Sequence, residues 1–148
     1  MPEWYFDDIP LNQPMTTTEY LVTEEELTAF ARKWDPLPIH TDPEAAGKMP
    51  LGGLTAPALY TMGVCNLLGH RLRMTMPVIG AAEWRVRFPA PVRPGDHLAA
   101  TLECDQKRVS RTKPDRGIAR FVITLRNQAG ERVLEWQSTM LVLRRNPG

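Results

Sequence analysis

Cysteine, aromatic residues, net charge and long apolar runs are all scarce in this 148-residue chain. There are two cysteines, Cys65 in an apolar run and Cys104 in an alternating one, and neither has another Cys or His at ligand spacing. That excludes a disulfide framework or a thiolate metal site and fits two small buried hydrophobes in a reducing compartment. The net charge is +1, from 18 Lys plus Arg against 17 Asp plus Glu. No whole-molecule field therefore draws in nucleic acid or a membrane surface, and any bound anion must be held by a local patch. No apolar run reaches membrane-spanning length, and the acidic, aromatic start MPEWYFDDIP is unlike a signal peptide. A cytoplasmic protein is expected. Its length suits one domain able to bury a core without a metal or cofactor.

What is present is patterned. The segment TTTEYLVT is rich in β-branched residues and reads as a short strand. Thr23 followed by Glu26 makes a capping box that opens a helix through about Trp34, ended by Pro36. Asp35 and Leu37 each precede a proline and are expected to be extended, which predicts a stiff connection that does not turn helical. Asp42 then caps a brief helix with Pro43 at its first position. From Thr55 to about Leu72 apolar residues fall on nearly every side, the pattern of a helix enclosed by a core. Four alternating segments follow, around GAAEWRVRF, HLAATLECDQKRV, IARFVITLRN and RVLEWQSTMLVLRR. They read as strands, with NQAGE a tight hairpin turn and PVRPGD another turn. The fold class is α+β, an antiparallel sheet curled around one long helix.

The stretch KWDPLPIHTDPEAA, residues 33–46, fixes Asp35 and His40 five positions apart among prolines. Two readings fit this spacing. A carboxylate and an imidazole on a rigid loop can act together on one water, the first taking its proton and the second orienting it. Equally, Asp35 can end the preceding helix while His40 makes one backbone hydrogen bond. The wider context adds information: FARKWDPLPIHTDPEAA followed by PLGGLTAPALYT resembles the signature of the MaoC-like dehydratases and (R)-specific enoyl-CoA hydratases. Asp35, Pro38 and His40 stand in the register of that family's Asp-x-x-Pro-x-His core, with Asp42, Gly52 and Gly53 after it. The likeness continues through PAPVRPGDHL and RVSRTKPDRGIARFVITLRNQAGERVL, and so covers the chain from about Thr16 onward.

That resemblance implies a hot-dog fold and a hydro-lyase activity on enoyl or 3-hydroxyacyl thioesters. It assigns Asp35 and His40 to the catalytic water and the backbone N–H of Ala58, where the family carries glycine, to the thioester oxygen. It also implies that Gly53, Leu37 and Asn66 contact substrate, Leu37 standing where many relatives carry Asn or Gln. A homodimer or larger homo-oligomer is implied, with the acyl tunnel near the shared interface. For a coenzyme A or acyl-carrier thioester, the phosphates call for a basic surface, and Arg93, Arg111, Lys113 and Arg116 are the candidates, beside Lys107 and Arg108. A solvated hairpin loop explains each of these charges individually as well. Two other functions are open. A hot-dog thioesterase would carry an acidic residue on the central helix, and the run from Thr55 to Leu72 has none. A non-catalytic acyl-thioester binder or partner subunit draws on Ala58 and Leu37.

Overall fold

The computed structural model describes residues 3–72 and 74–146. Its centre is a six-stranded antiparallel sheet in the order β1-β4-β5-β6-β3, with β2 pairing β4 outside that path. The long strands are β3 (Val78–Arg87), β4 (His97–Val109), β5 (Arg116–Arg126) and β6 (Arg132–Leu143). Period-2 alternation is clearest in the middle strands: Leu98, Ala100, Leu102 and Cys104 of β4 are buried, as are Gly117, Ala119, Phe121 and Leu125 of β5, while their neighbours face outward; β3, at the sheet edge, has no buried residue. The two expected turns close as predicted, with Gly95 at φ 91° and Gly130 at φ 77°, a region that favours glycine. The β-rich N-terminal segment splits into two short pieces, β1 (Met15–Thr16) and β2 (Tyr20–Leu21), because it bends between Ala100 and Asp96 along β4.

The described residues add a 3-10 turn over Phe6–Asp8 and four α-helices: α1 (Glu24–Trp34), α2 (Pro38–Thr41), α3 (Pro43–Gly47) and α4 (Ala58–His70). Thr23 caps α1 through the Glu26 N–H, and Asp42 caps α3 through the Glu44 and Ala45 N–H groups. Two expectations need correction. Leu37 is extended as predicted, but Pro38 then serves as the first residue of a helical turn instead of a barrier to one, and that turn carries His40. The central helix starts at Ala58 and not at Thr55, since Pro57 disfavours the helical region for Ala56.

Tyr60, Val64, Cys65 and Leu68 of α4 pack with Val22, Leu27, Leu98, Leu125, Leu134 and Trp136 to form one core cluster. A second lies at the other end of the sheet, where Phe6 and Ile9 of the N-terminal segment cover Leu102, Cys104, Phe121 and Val142. The expected full enclosure of α4 is only half met: Leu59 and Leu67 are 59% and 41% exposed, and Gly63, Asn66 and His70 share that open side. The sheet wraps one face of the helix and leaves the other apolar face uncovered.

Candidate active site

Asp35 is the residue at which α1 stops. Its N–H makes the last helical bond, to Ala31 O at 2.8 Å, while Pro36 forbids another turn and leaves the carboxylate half-exposed. His40 sits one helical turn of chain later and is 7% exposed. Its Nδ1 is 2.5 Å from Thr55 O, and its Nε2 is 3.5 Å from Asp35 Oδ2. A carbonyl only accepts, so in the neutral ring Nδ1 carries the proton and Nε2 turns its lone pair toward the carboxylate. Two acceptors at that separation repel unless a hydrogen lies between them. A protonated ring supplies one, and so does a water that donates one O–H to each group.

Thr55 holds this arrangement from both sides. Its N–H donates to Ile39 O at 3.1 Å, and its own carbonyl receives the His40 ring. It is 4% exposed, three residues before Ala58, so α2 is locked to the entrance of α4. Pro57 at the cap position has no side-chain acceptor, which leaves the first-turn N–H groups of Ala58, Leu59 and Tyr60 without a side-chain cap. Positive partial charge at a helix N-terminus thus stands next to the carboxylate–imidazole pair. Ala58, the first residue of α4, is exposed.

The remaining expected site residues scatter. Leu37 flanks Asp35 but is 50% exposed, facing outward as much as into the site. Gly53 lies 3.4 Å, at its missing Cβ, from an Arg93 guanidinium nitrogen, and that guanidinium donates to Leu51 O at 2.6 Å. Arg93 braces the glycine loop that leads to α4. Asn66 is two helical turns beyond Ala58, about 12 Å along α4 at ~1.5 Å per residue. It belongs with a different feature, an apolar cavity of about 330 Å³ between the second half of α4 and the inner face of the sheet. Cys65, Phe121, Trp136 and Met140 line its walls.

Arg111 and Lys113 occupy the turn between β4 and β5 and Arg116 opens β5, at the far end of β4 from the Val92–Ala56 contact that adjoins the site. Twelve residue steps of β4 span about 40 Å at ~3.3 Å each. Arg116 is in addition paired with Asp115 at 2.7 Å. Within one chain this basic turn and the Asp35–His40 pair lie toward opposite ends of β4. Successive hairpins alternate between the two ends of a sheet, and basic composition does not say which end a turn occupies.

Thr55 and the cavity walls other than Asn66 went unread in the sequence as site residues. Pro57 was the available signal for Thr55, because it keeps Ala56 extended and frees Thr55 to bond sideways. The cavity walls beyond Asn66 had no such signal, since most are ordinary core types drawn from α4, all four long strands and the segment before β3.

An antiparallel sheet around one long helix, with a paired carboxylate and imidazole beside that helix's uncapped N-terminus, defines a hot-dog domain of the dehydratase type. The profile of the MaoC like domain matches residues 7–124. The chain therefore belongs to the MaoC-like dehydratase family. It is 26% identical over 140 residues to the uncharacterized protein YdeM of Bacillus subtilis, spanning 93% of this chain and 98% of that one. To the 3-hydroxyacyl-thioester dehydratase Z of Mycobacterium tuberculosis it is 36% identical over 88 residues, 54% of this chain and 56% of that protein, so this match spans about half of each. Among solved structures, the MaoC-like dehydratase from Rhodospirillum rubrum superposes with a TM-score of 0.87 at 28% identity, covering 97% of this chain and 99% of the other.

Proposed function

We propose that the protein is an (R)-specific enoyl-thioester hydratase, or in reverse a 3-hydroxyacyl-thioester dehydratase, acting on an acyl-coenzyme A or acyl-carrier substrate as a homodimer or larger homo-oligomer. The observation that carries this reading is the 3.5 Å separation of Asp35 Oδ2 and His40 Nε2, with the other ring nitrogen fixed on Thr55 O. A water donating to both groups presents its own lone pair to the β-carbon of an enoyl thioester. As the C–O bond forms, one water proton passes to the pair and the π electrons move toward the thioester carbonyl. The Ala58 N–H stabilises the enolate oxygen, and the α-carbon then takes a proton from the same pair, so atoms and charge balance. Fixing both side chains before substrate arrives removes an ordering cost from the barrier.

The apolar cavity near Cys65 and Trp136 supplies a place for the acyl chain, and the open face of α4 supplies the dimer contact. The exposed stripe Leu59, Gly63, Leu67 is symmetric about Gly63. Antiparallel pairing of two such helices sets the N-terminus of one α4 beside the cavity of the partner subunit, which brings acyl site and catalytic pair together. Both buried cysteines are free, which suits the reducing cytoplasm.

The test is hydration of crotonyl-coenzyme A and longer enoyl thioesters, followed by loss of the enoyl absorbance. Asp35→Asn is expected to lower the rate by about 10²- to 10⁴-fold. Tight thioester binding without turnover across the whole panel would instead make the chain a binder and end the hydratase reading.

A further inference from the structure

Glu26 departs from the local rule for its position. It stands third in α1 behind a threonine cap, where a glutamate carboxylate ordinarily turns back to the N–H of the cap. Here its Oε1 accepts two phenols instead, from Tyr20 at 2.5 Å and Tyr60 at 2.8 Å. Tyr60 is 4% exposed and is the third residue of α4, so its backbone belongs to the same uncapped turn as Ala58. Phe30, one turn beyond Glu26, meets the Tyr60 ring edge-on with centroids 5.7 Å apart. One face of α1 thus grips the first turn of α4 by a hydrogen bond and a ring contact.

The two members of the pair are anchored to different elements. Asp35 ends α1, whereas the His40 ring is held by Thr55 at the entrance to α4. Their backbones are already tied by the Leu37 N–H on Asp35 O and the His40 N–H on Leu37 O, so the seat of α1 against α4 sets the remaining freedom, the approach of the Asp35 carboxylate to that ring. We propose that Glu26 and Tyr60 are positioning residues whose hydrogen bond sets the distance between Asp35 and His40. Neither touches the reacting atoms. A displacement of about 1 Å at such a pair is enough to cost about 10²-fold in rate, which gives a single clasp large leverage. The inference rests on the hydratase reading above.

Tyr60→Phe keeps the ring and its contact with Phe30 and removes only the bond, Glu26→Ala removes the acceptor, and Glu26→Gln keeps an oxygen able to accept both phenols. Hydration of crotonyl-coenzyme A is measured at a temperature where each variant is folded. Tyr60→Phe and Glu26→Ala are expected to lower kcat about 10-fold or more with KM within about 3-fold of wild type, since orientation and not binding is lost. Glu26→Gln is expected to rescue kcat, and the Glu26→Ala, Tyr60→Phe double variant to be no slower than either single one, because the same bond is removed once. The ring resonances of His40 in the free protein, read by nitrogen NMR, are expected to move in Tyr60→Phe and Glu26→Ala and to return in Glu26→Gln. This readout needs no turnover, so a chain inactive on every thioester overturns the hydratase reading while the His40 signal still decides the clasp. Folded Tyr60→Phe with an unshifted His40 signal, or Glu26→Gln as damaged as Glu26→Ala, overturns the proposal.

Discussion

Asp35 shows how two readings of one residue can both hold, because they use different atoms. Its backbone N–H ends α1 and its carboxylate is left free for His40. Asp35→Asn keeps the backbone bond and alters only the side chain, so thermal unfolding of this variant is expected within about 0.5 kcal/mol of wild type, while hydration is lost. A large loss of stability would mean that the carboxylate is structural. Tyr60 offers a second test at this scale. Burial first, and then its bond to Glu26, push its phenol well above the ordinary value of 10.0. Tyr20 is raised from the same value, chiefly by that shared carboxylate. A raised pKa in the folded state means the native protein keeps its proton when the unfolded chain has lost it, so the contribution is complete below the unfolded value and declines above it. Stability measured by denaturant titration is expected to fall as pH rises past about 10, more gently in Tyr60→Phe. Equal slopes in the two proteins would place the Tyr60 phenol in water-like surroundings. Burial likewise pushes the Cys65 thiol up to about 12, and native protein is expected to resist thiol reagents at this residue near neutral pH.

Between elements, what the sequence made legible is what repeats locally. The four long strands could be read because alternation with a period of two survives regardless of what they pack against, and the hairpin turns because glycine marks a positive φ. The Asp35–His40 pair was legible for a similar reason: both ends of its spacing are fixed by neighbouring prolines. Long-range placement was not. Pro38 stops one helix and starts another, and which role it takes depends on Thr55 fifteen residues away from His40 receiving the ring. The basic turn lies far from the site because its position follows strand direction and not composition. The N-terminal segment is a further long-range effect, since a Cβ on Gly117 would come within 2.3 Å of the Phe6 ring. The Phe6 ring is buried in the same cluster as Val142 and Phe121, so relieving the contact requires that packing to shift. Gly117→Ala is expected to cost about 1–3 kcal/mol by overpacking, a fall in melting temperature of roughly 2–4 °C per kcal/mol visible by calorimetry. An unchanged melting temperature would mean that Phe6 leaves the sheet at little cost.

At the scale of the whole molecule, a single chain leaves too much apolar surface uncovered in one place. Beside the open stripe of α4, edge strand β3 exposes Val78, Ile79 and Trp84 at 45%, 44% and 53%. The register of β3 on β6 pairs Trp84 with Ser138 and Val86 with Trp136, so Trp84 points to the same face as two buried residues and packs edge-on against Trp136 at 5.1 Å. An inward-facing tryptophan on an unpaired edge, next to an apolar helix face, is poorly explained by solvent as the neighbour. The proposed homodimer covers both surfaces at once. Leu59 and Leu67 stand four residues either side of Gly63, so a two-fold axis at Gly63 sets Leu59 of one chain against Leu67 of the partner subunit, with the glycine allowing the helices to approach. Leu67→Glu places two charges in that contact, one from each chain, and spares the Asp35–His40 pair. Light scattering and sedimentation are expected to give twice the chain mass for wild type and the chain mass for the variant. Under the proposed function the cavity then no longer adjoins the partner subunit's carboxylate–imidazole pair, and activity on long enoyl thioesters is expected to fall more than activity on crotonyl-coenzyme A. A wild-type protein that sediments as a monomer at micromolar concentration would leave the α4 stripe without a partner and the catalytic pair without an acyl site.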